Sequence, residues 1–157
     1  MHRVPRQVLV YVFRRAADGS VEFLLLRRTR EWGGFWQGVS GAPEVGETDA
    51  EGAVREVAEE TGYAVADDLR EIGSRYEIRR EDDLDSERWE HLYGPDVRAI
   101  PEEVYVAEVP YDSTPVLSPY EHDAYEWCSF DDALGLLRWE NNRRALVAAH
   151  RFIVGDG

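Results

Sequence analysis

The sequence contains no lysine. All 18 of its basic residues are arginine, which excludes Schiff-base chemistry on a lysine amine and the lysine-bearing phosphate loop of the common NTPases. Any phosphate must therefore be held by arginine, by backbone N–H groups or by a metal ion, although the bias itself is read as genome composition rather than function. Cysteine is nearly absent as well. The single Cys128 cannot close an internal disulfide, and its place beside Trp127 in an apolar stretch reads as a small core residue rather than a nucleophilic thiol. No apolar run approaches the roughly 20 residues of a membrane span. The opening MHRVPRQVLVYVFRR alternates like a strand where a secretory signal needs an unbroken apolar block, so a soluble, cytoplasmic protein without a membrane partner is expected.

What the chain has in excess is acid. Its 32 acidic residues against 18 basic ones give a formal charge of −14, which repels a polyanion, and duplex nucleic acid is not an expected partner. The 157 residues, 43% apolar and 11% aromatic, suit one domain over residues 1–157 with a real core. Self-association into a homodimer is left open by composition.

The runs QVLVYVF (7–13) and VEFLLLRR (21–28) are strand-like, and the Asp18-Gly19 pair between them predicts an antiparallel hairpin. Residues 29–47 hold five glycines and a cluster of rings, the composition of a loop that presents side chains to a ligand. A helix is predicted from Thr48 to Thr61, stopped by Gly62. Further strands are expected over 68–80, 97–110 and 124–130, with pairing in the second starting after Pro101. The acidic stretch 81–96 reads as polar and irregular. Two late helices are expected, with Asp131 and Glu140 or Asn141 as start signals. Dispersed helices among more numerous strands point to an α/β or α+β layered sheet.

The predicted helix 48–61 sets Ala50, Ala53, Val54, Val57 and Ala58 on one side and crowds Glu56, Glu59 and Glu60 on another. Like charges at this spacing destabilise a bare helix by a few tenths of a kcal/mol per pair. Hard cations such as Mg²⁺ or Mn²⁺ prefer oxygen ligands and would offset that repulsion. On the helix pattern alone a solvated acidic face is the favoured reading, but the tight turn of Gly41, Pro43 and Gly46 changes the balance because it can bring backbone carbonyls beside the carboxylates. Arg55 can pair with Glu51 or Glu59 four residues away.

Gly41, then Glu47 after five residues, then REVAEETGY (55–63) after seven more, resembles the Nudix box. Nine positions of that pattern are specified and the chain meets eight, departing at Tyr63, where the family has a bulky aliphatic residue. The resemblance implies an α/β/α sandwich around a mixed sheet and a metal-dependent hydrolase of nucleoside diphosphates linked to another group. It implies that Gly41, by its carbonyl, and Glu56, Glu59 and Glu60 ligate Mg²⁺, with Mn²⁺ as a substitute. Glu56 would thereby belong to the catalytic set, Arg55 would brace a glutamate, and Glu47 would support from the helix start.

Outside the box, Glu121 and His122 precede the AYEW stretch. An ordinary acidic loop is one reading, and the resemblance raises Glu121 as general base or extra ligand, with His122 capping or stacking. Phe35 and Trp36 either fill core or stack on a heterocycle whose edge Gln37 reads, while Arg27, Arg28 and Arg30 could reach phosphate. FWQGVSG, WEHLYGP, EHDAYEW and RWENNRRAL are similar to the dihydroneopterin triphosphate pyrophosphohydrolase branch of the family. A pterin or nucleoside triphosphate cleaved to monophosphate and pyrophosphate is the leading expectation. A diadenosine polyphosphate or ADP-ribose hydrolase is the alternative, and a non-catalytic nucleotide-sensing module the third.

Overall fold

The computed structural model describes residues 2–83 and 86–155. Strands β1 (Gln7–Arg15) and β2 (Val21–Arg28) form the expected hairpin, with Phe13 opposite Phe23 and Arg15 opposite Val21. Its turn closes through Ala16 and Ser20, and Gly19 supplies a φ of 87° that other residues adopt only with strain. Two short strands follow, β3 (Trp36–Gln37) and β4 (Val39–Gly41), and then the helix α1 (Asp49–Thr61). The chain continues through β5 (Leu69–Arg79), α2 (Ser86–Tyr93), β6 (Ala99–Glu108), β7 (His122–Cys128), α3 (Phe130–Leu136) and α4 (Glu140–Val154).

The described strands make one mixed sheet in the order β3-β2-β1-β6-β5, with β4 added to β1 and β7 to β2. β1 and β6 run parallel from Gln7 opposite Glu102 to Phe13 opposite Glu108, and every other pairing is antiparallel. A strand covered on both faces reads as a continuous apolar run, which is why VLVYVF shows no polar alternation. Leu9, Tyr11 and Phe13 pack with Ala133, Leu137, Ala145 and Leu146 of α3 and α4. Val8, Val10 and Val12 pack with Ala53 and Val57 of α1 on the other side. The result is the expected α/β/α layering.

Several boundaries differ from expectation for local reasons. Residues 86–93, expected to be irregular, form α2, because Trp89 and Tyr93 lie four apart and bury together against Ile100. Trp89 also donates from Nε1 to the Val97 carbonyl at 2.7 Å. Pairing of β6 starts at Ala99, before Pro101. Proline is tolerated there because β1 joins only from Glu102 onward, so β6 is still an edge toward that side. Helix α3 is capped by Ser129, whose hydroxyl accepts from Asp132 N–H, rather than started by Asp131. Cys128 is buried in the core beside Phe23, and burial pushes its thiol up to about 12, which leaves it without thiolate character.

Candidate active site

The site is built where β1 divides its edge between two partners. Val8 to Val10 pair with β4, whereas Phe13 to Arg15 pair with β2, and the chain leaves β4 at Gly41 to enter the loop before α1. Thr48 closes that loop with a reciprocal cap: its hydroxyl accepts from Glu51 N–H, and the Glu51 carboxylate accepts from Thr48 N–H. Gly41 lies against the helix so closely that a Cβ built on it would stand 2.3 Å from the Glu56 carboxyl carbon. Any larger residue there would push the Glu56 carboxylate aside.

Arg55 organises the carboxylates. Its Nε and Nη2 donate to the two oxygens of Glu47 at 2.9 and 3.1 Å, Nη1 donates to Glu56 and Glu59 at 3.1 and 3.2 Å, and Nη2 also reaches the Ala42 carbonyl at 3.0 Å. Glu51, an expected partner, is occupied by the cap instead, and Glu47 takes its place. The Arg55 hydrogen bonds and the Glu44 N–H hold the Glu47 carboxyl below the usual carboxylate range. A groove of about 320 Å³ runs along Ala42, Pro43, Arg55 and Glu56.

The inner face of α1 departs from the helical-wheel expectation. Ala50 and Ala58 are exposed, while Gly52, Ala53, Val57, Glu60 and Thr61 are buried. Glu60 therefore points inward at 1% exposure, Glu56 is half-buried beside it, and Glu59 faces solvent. Both Glu60 oxygens lack any hydrogen-bond partner. Burial, followed by the neighbouring Glu56 and Glu121 carboxylates, pushes the Glu60 carboxyl well above its ordinary range. Glu56 is raised too, chiefly by burial, with Arg55 opposing.

Beneath Glu60 lies His122, also 1% exposed, with Nε2 3.7 Å from Glu60 Oε1 and 3.3 Å from Gln37 Nε2. Burial, then the Arg28 charge, lowers its pKa to about 4, so the contact joins a neutral imidazole to a carboxyl and is not an ion pair. A bulge turns it inward: Arg27 pairs with Ala124 and Arg28 with His122, skipping Asp123. One ligand atom each from Glu60, Glu121 and His122 lies within 4.8 Å of the others. Glu121 faces Arg28 Nη1 at 3.8 Å, and Arg28 lies 5.5 Å from the Trp32 ring.

The expected reading of one heterocycle by Trp36 and Gln37 together is corrected by strand geometry. Neighbouring residues of β3 point to opposite faces. Gln37 is buried against His122, whereas Trp36 packs toward the α3 side, where it bridges Leu137. Phe35 meets Trp139 edge-on with centroids 6.0 Å apart, and Arg138 lies 5.8 and 5.7 Å from these two rings. Trp139 and Arg138 escaped the sequence reading because a separation of a hundred residues leaves no local signal, and Arg27 is engaged by Asp123 at 2.8 Å.

A family model for the NUDIX domain matches residues 5–150. The chain belongs to the Nudix family. It is a Nudix pyrophosphohydrolase, a hydrolase of phosphoanhydride bonds. It is 31% identical over 147 residues to a dihydroneopterin triphosphate diphosphatase from Escherichia coli, covering 93% of this chain and 92% of that one. The solved structure of the E. coli dihydroneopterin triphosphate pyrophosphohydrolase superposes with a TM-score of 0.75 at 28% identity, covering 93% and 94% of the two chains. An asymmetrical bis(5'-nucleosyl)-tetraphosphatase from Rattus norvegicus is 29% identical over 136 residues, 85% of this chain and 82% of the relative. An octanoyltransferase from Myxococcus xanthus is 33% identical over 126 residues, 80% of this chain, but the chain spans only 31% of that protein's length.

Nudix hydrolases use divalent metal, and the Nudix site here fits one. The donor set is rich in carboxylate oxygen, Glu60 is buried with both oxygens unpaired, and Gly41 is held against Glu56 where no Cβ fits. Each feature is costly in a bare protein and suited to a hard cation.

Proposed function

We propose that this Nudix enzyme cleaves a pterin or nucleoside triphosphate to the monophosphate and pyrophosphate, using Mg²⁺ held by the Gly41 carbonyl and by Glu56, Glu59 and Glu60. The observation that carries the metal assignment is the buried Glu60 carboxyl with neither oxygen hydrogen-bonded. Mg²⁺ or Mn²⁺, when bound, neutralises phosphate charge and makes a bound water more acidic.

The chain's own residues do the rest. Arg55 holds Glu47, Glu56 and Glu59 in one arrangement through four hydrogen bonds, so the carboxylates need not reorganise when substrate arrives. Neutral His122, with Gln37 behind it, backs Glu60 from the core side. Glu121 acts as general base: the water oxygen forms the new bond to phosphorus, the bridging P–O bond breaks with its electron pair leaving on the departing phosphate group, and Glu121 takes the water's proton. Arg28, beside Glu121, faces the phosphate chain. Phe35 and Trp36 supply ring surface for the heterocycle.

The dihydroneopterin triphosphate relative supports the triphosphate reading over nearly its whole length. The match to a bis(5'-nucleosyl)-tetraphosphatase supports a second reading, in which the same metal helix serves a dinucleoside polyphosphate. Hydrolysis of dihydroneopterin triphosphate, the canonical dNTPs, diadenosine tetraphosphate and ADP-ribose with Mg²⁺, with pyrophosphate and orthophosphate assayed separately, separates them. Pyrophosphate released fastest from the pterin or a dNTP is the expected result. A clear preference for diadenosine tetraphosphate or ADP-ribose overturns the triphosphate assignment.

A further inference from the structure

The segment ahead of β1 is tied down beside the metal loop by contacts that serve neither the sheet nor the core. β1 and β4 pair antiparallel at Val8 and Gly41, and the two chains continue past that pair as the facing walls of the groove of about 320 Å³, Arg3 and Val4 on one side and Ala42 to Val45 on the other. Arg6 fastens the segment to the start of α1, with Nη1 donating to Asp49 at 2.8 Å and Nη2 to the Glu47 carbonyl at 3.3 Å. At its other end Arg3 N–H donates to the Leu92 carbonyl of α2 at 2.6 Å, and His2 lies against Gly94, where a Cβ would stand 3.1 Å from the ring.

Arg55 and Glu56 also line the groove, but the Arg55 guanidinium is taken up by Glu47, Glu56, Glu59 and the Ala42 carbonyl. Arg3 is different. It is exposed, and among the described residues no carboxylate pairs with it and no side-chain hydrogen bond engages it. The groove is open to solvent, since Arg3, Glu44 and Val45 are all exposed. Its volume is at the small end of ligand sites, which run from roughly 300 to 1,000 Å³, and His2 is the one ring among its described walls, so it suits phosphate better than a heterocycle. The rings of the site gather elsewhere, Trp32 beside Arg28, and Phe35 and Trp139 beside Arg138. Arg28 faces Glu121, Glu121 neighbours Glu60, Glu60 neighbours Glu56, and Glu56 shares the groove with Arg3. Two arginines therefore stand at opposite ends of one row of carboxylates.

We propose that this groove seats the terminal phosphates of the substrate and the pyrophosphate they become, with Arg3 as the guanidinium that holds them. With the metal and the reaction taken from the triphosphatase reading, on which this rests, the groove fixes the direction of the substrate: heterocycle toward the rings around Arg28, phosphate tail toward Arg3. A guanidinium meets phosphate through two parallel N–H donors, and it offsets the repulsion that Glu44 and Glu56 exert on an anion entering between them. A monophosphate has no tail to reach Arg3.

The test titrates inorganic pyrophosphate, and separately GMP, into the Mg²⁺-loaded protein by calorimetry. Wild type is compared with Arg3→Gln and with Arg151→Gln, which removes the same charge from the exposed surface of α4. Thermal melting checks that Arg3→Gln is folded, as expected where the tie to α2 is made by the backbone. Arg3→Gln should weaken pyrophosphate by about tenfold or more, the scale of one lost charge-assisted hydrogen bond, and leave GMP within about twofold. The KM of the triphosphate hydrolysed fastest should rise by about tenfold with kcat little changed, the signature of lost ground-state binding. Arg3→Lys should recover part of the loss, and Arg151→Gln should behave as wild type. Unchanged pyrophosphate affinity in Arg3→Gln, an equal loss for GMP or in Arg151→Gln, or a wild type that does not bind pyrophosphate overturns the proposal. If no triphosphate releases pyrophosphate while Arg3→Gln still weakens inorganic pyrophosphate, the triphosphatase reading fails and the groove stands as a phosphate site.

Discussion

Glu60 is the residue at which stability and function pull in opposite directions. In the metal-free protein its carboxyl is buried beside the Glu56 and Glu121 carboxylates with no donor facing it, so the charged form is disfavoured. Glu60→Gln should leave the metal-free melting temperature unchanged or raised, since the amide keeps the shape and sheds the charge. Hydrolysis should nonetheless fall by at least about 10²-fold, the scale of losing one preorganised electrostatic contact. Near-native turnover at saturating Mg²⁺ would refute the ligand assignment. Glu121→Gln should lower kcat by about 10²–10⁴-fold with KM little changed, as expected for a general base. A loss below about threefold, with an unaltered pH profile, would place the proton on another group. Neither Glu60's burial nor its contact with His122 was legible in the sequence. Helical spacing groups the glutamates, but it does not say which lies at the edge of the buried stripe, and His122 is turned inward by a bulge that one-residue alternation does not foretell.

At the scale of elements, α1 was the most legible part of the chain because its ends are written in local chemistry. The Thr48–Glu51 cap and the left-handed Gly62 act within a few residues of themselves, so sequence and structure agree to one residue. Thr48→Ala should therefore destabilise the protein by about 1 kcal/mol, measurable as a lower denaturant midpoint with an unchanged slope. The hairpin of β1 and β2 was legible for the same reason. By contrast, α2 was hidden because a single pair of aromatic residues had to outweigh an acidic background, and the route of β1's edge from β2 to β4 is set by long-range pairing alone. Gly41 belongs to this level as well. Gly41→Ala would drive a methyl group into the Glu56 carboxylate, so that carboxylate must swing aside and give up its Arg55 contact. Activity should fall more steeply than stability, which paired kinetic and melting measurements can resolve.

For the molecule as a whole, an excess of negative charge and several buried carboxyls make stability depend on pH in an unusual direction. Glu102 isolates the effect because it is nine-tenths buried, away from the Nudix carboxylates, with one neutral partner. Its pKa in the folded protein is about 7, above its ordinary 4.5, so the folded state holds its proton more tightly than the unfolded chain does. The protein then has its full stability, as far as this group is concerned, below about pH 4.5, and loses it as pH rises through 7, after which the loss stays constant. A shift of this size corresponds to about 3 kcal/mol. Glu102→Gln removes the titration and keeps the shape, and the amide can still accept from Gln7. Wild type and Glu102→Gln should melt together at pH 4.5, and the variant should melt on the order of 5–10 °C higher at pH 8.5, given the roughly 2–4 °C per kcal/mol of a domain this size. The comparison should be made in chelator, because bound Mg²⁺ stabilises the folded state by mass action and would mask part of the difference. Equal melting at pH 8.5 would mean that the carboxylate is solvated in the folded protein, and the sheet face above it would then be open to water rather than closed by α4.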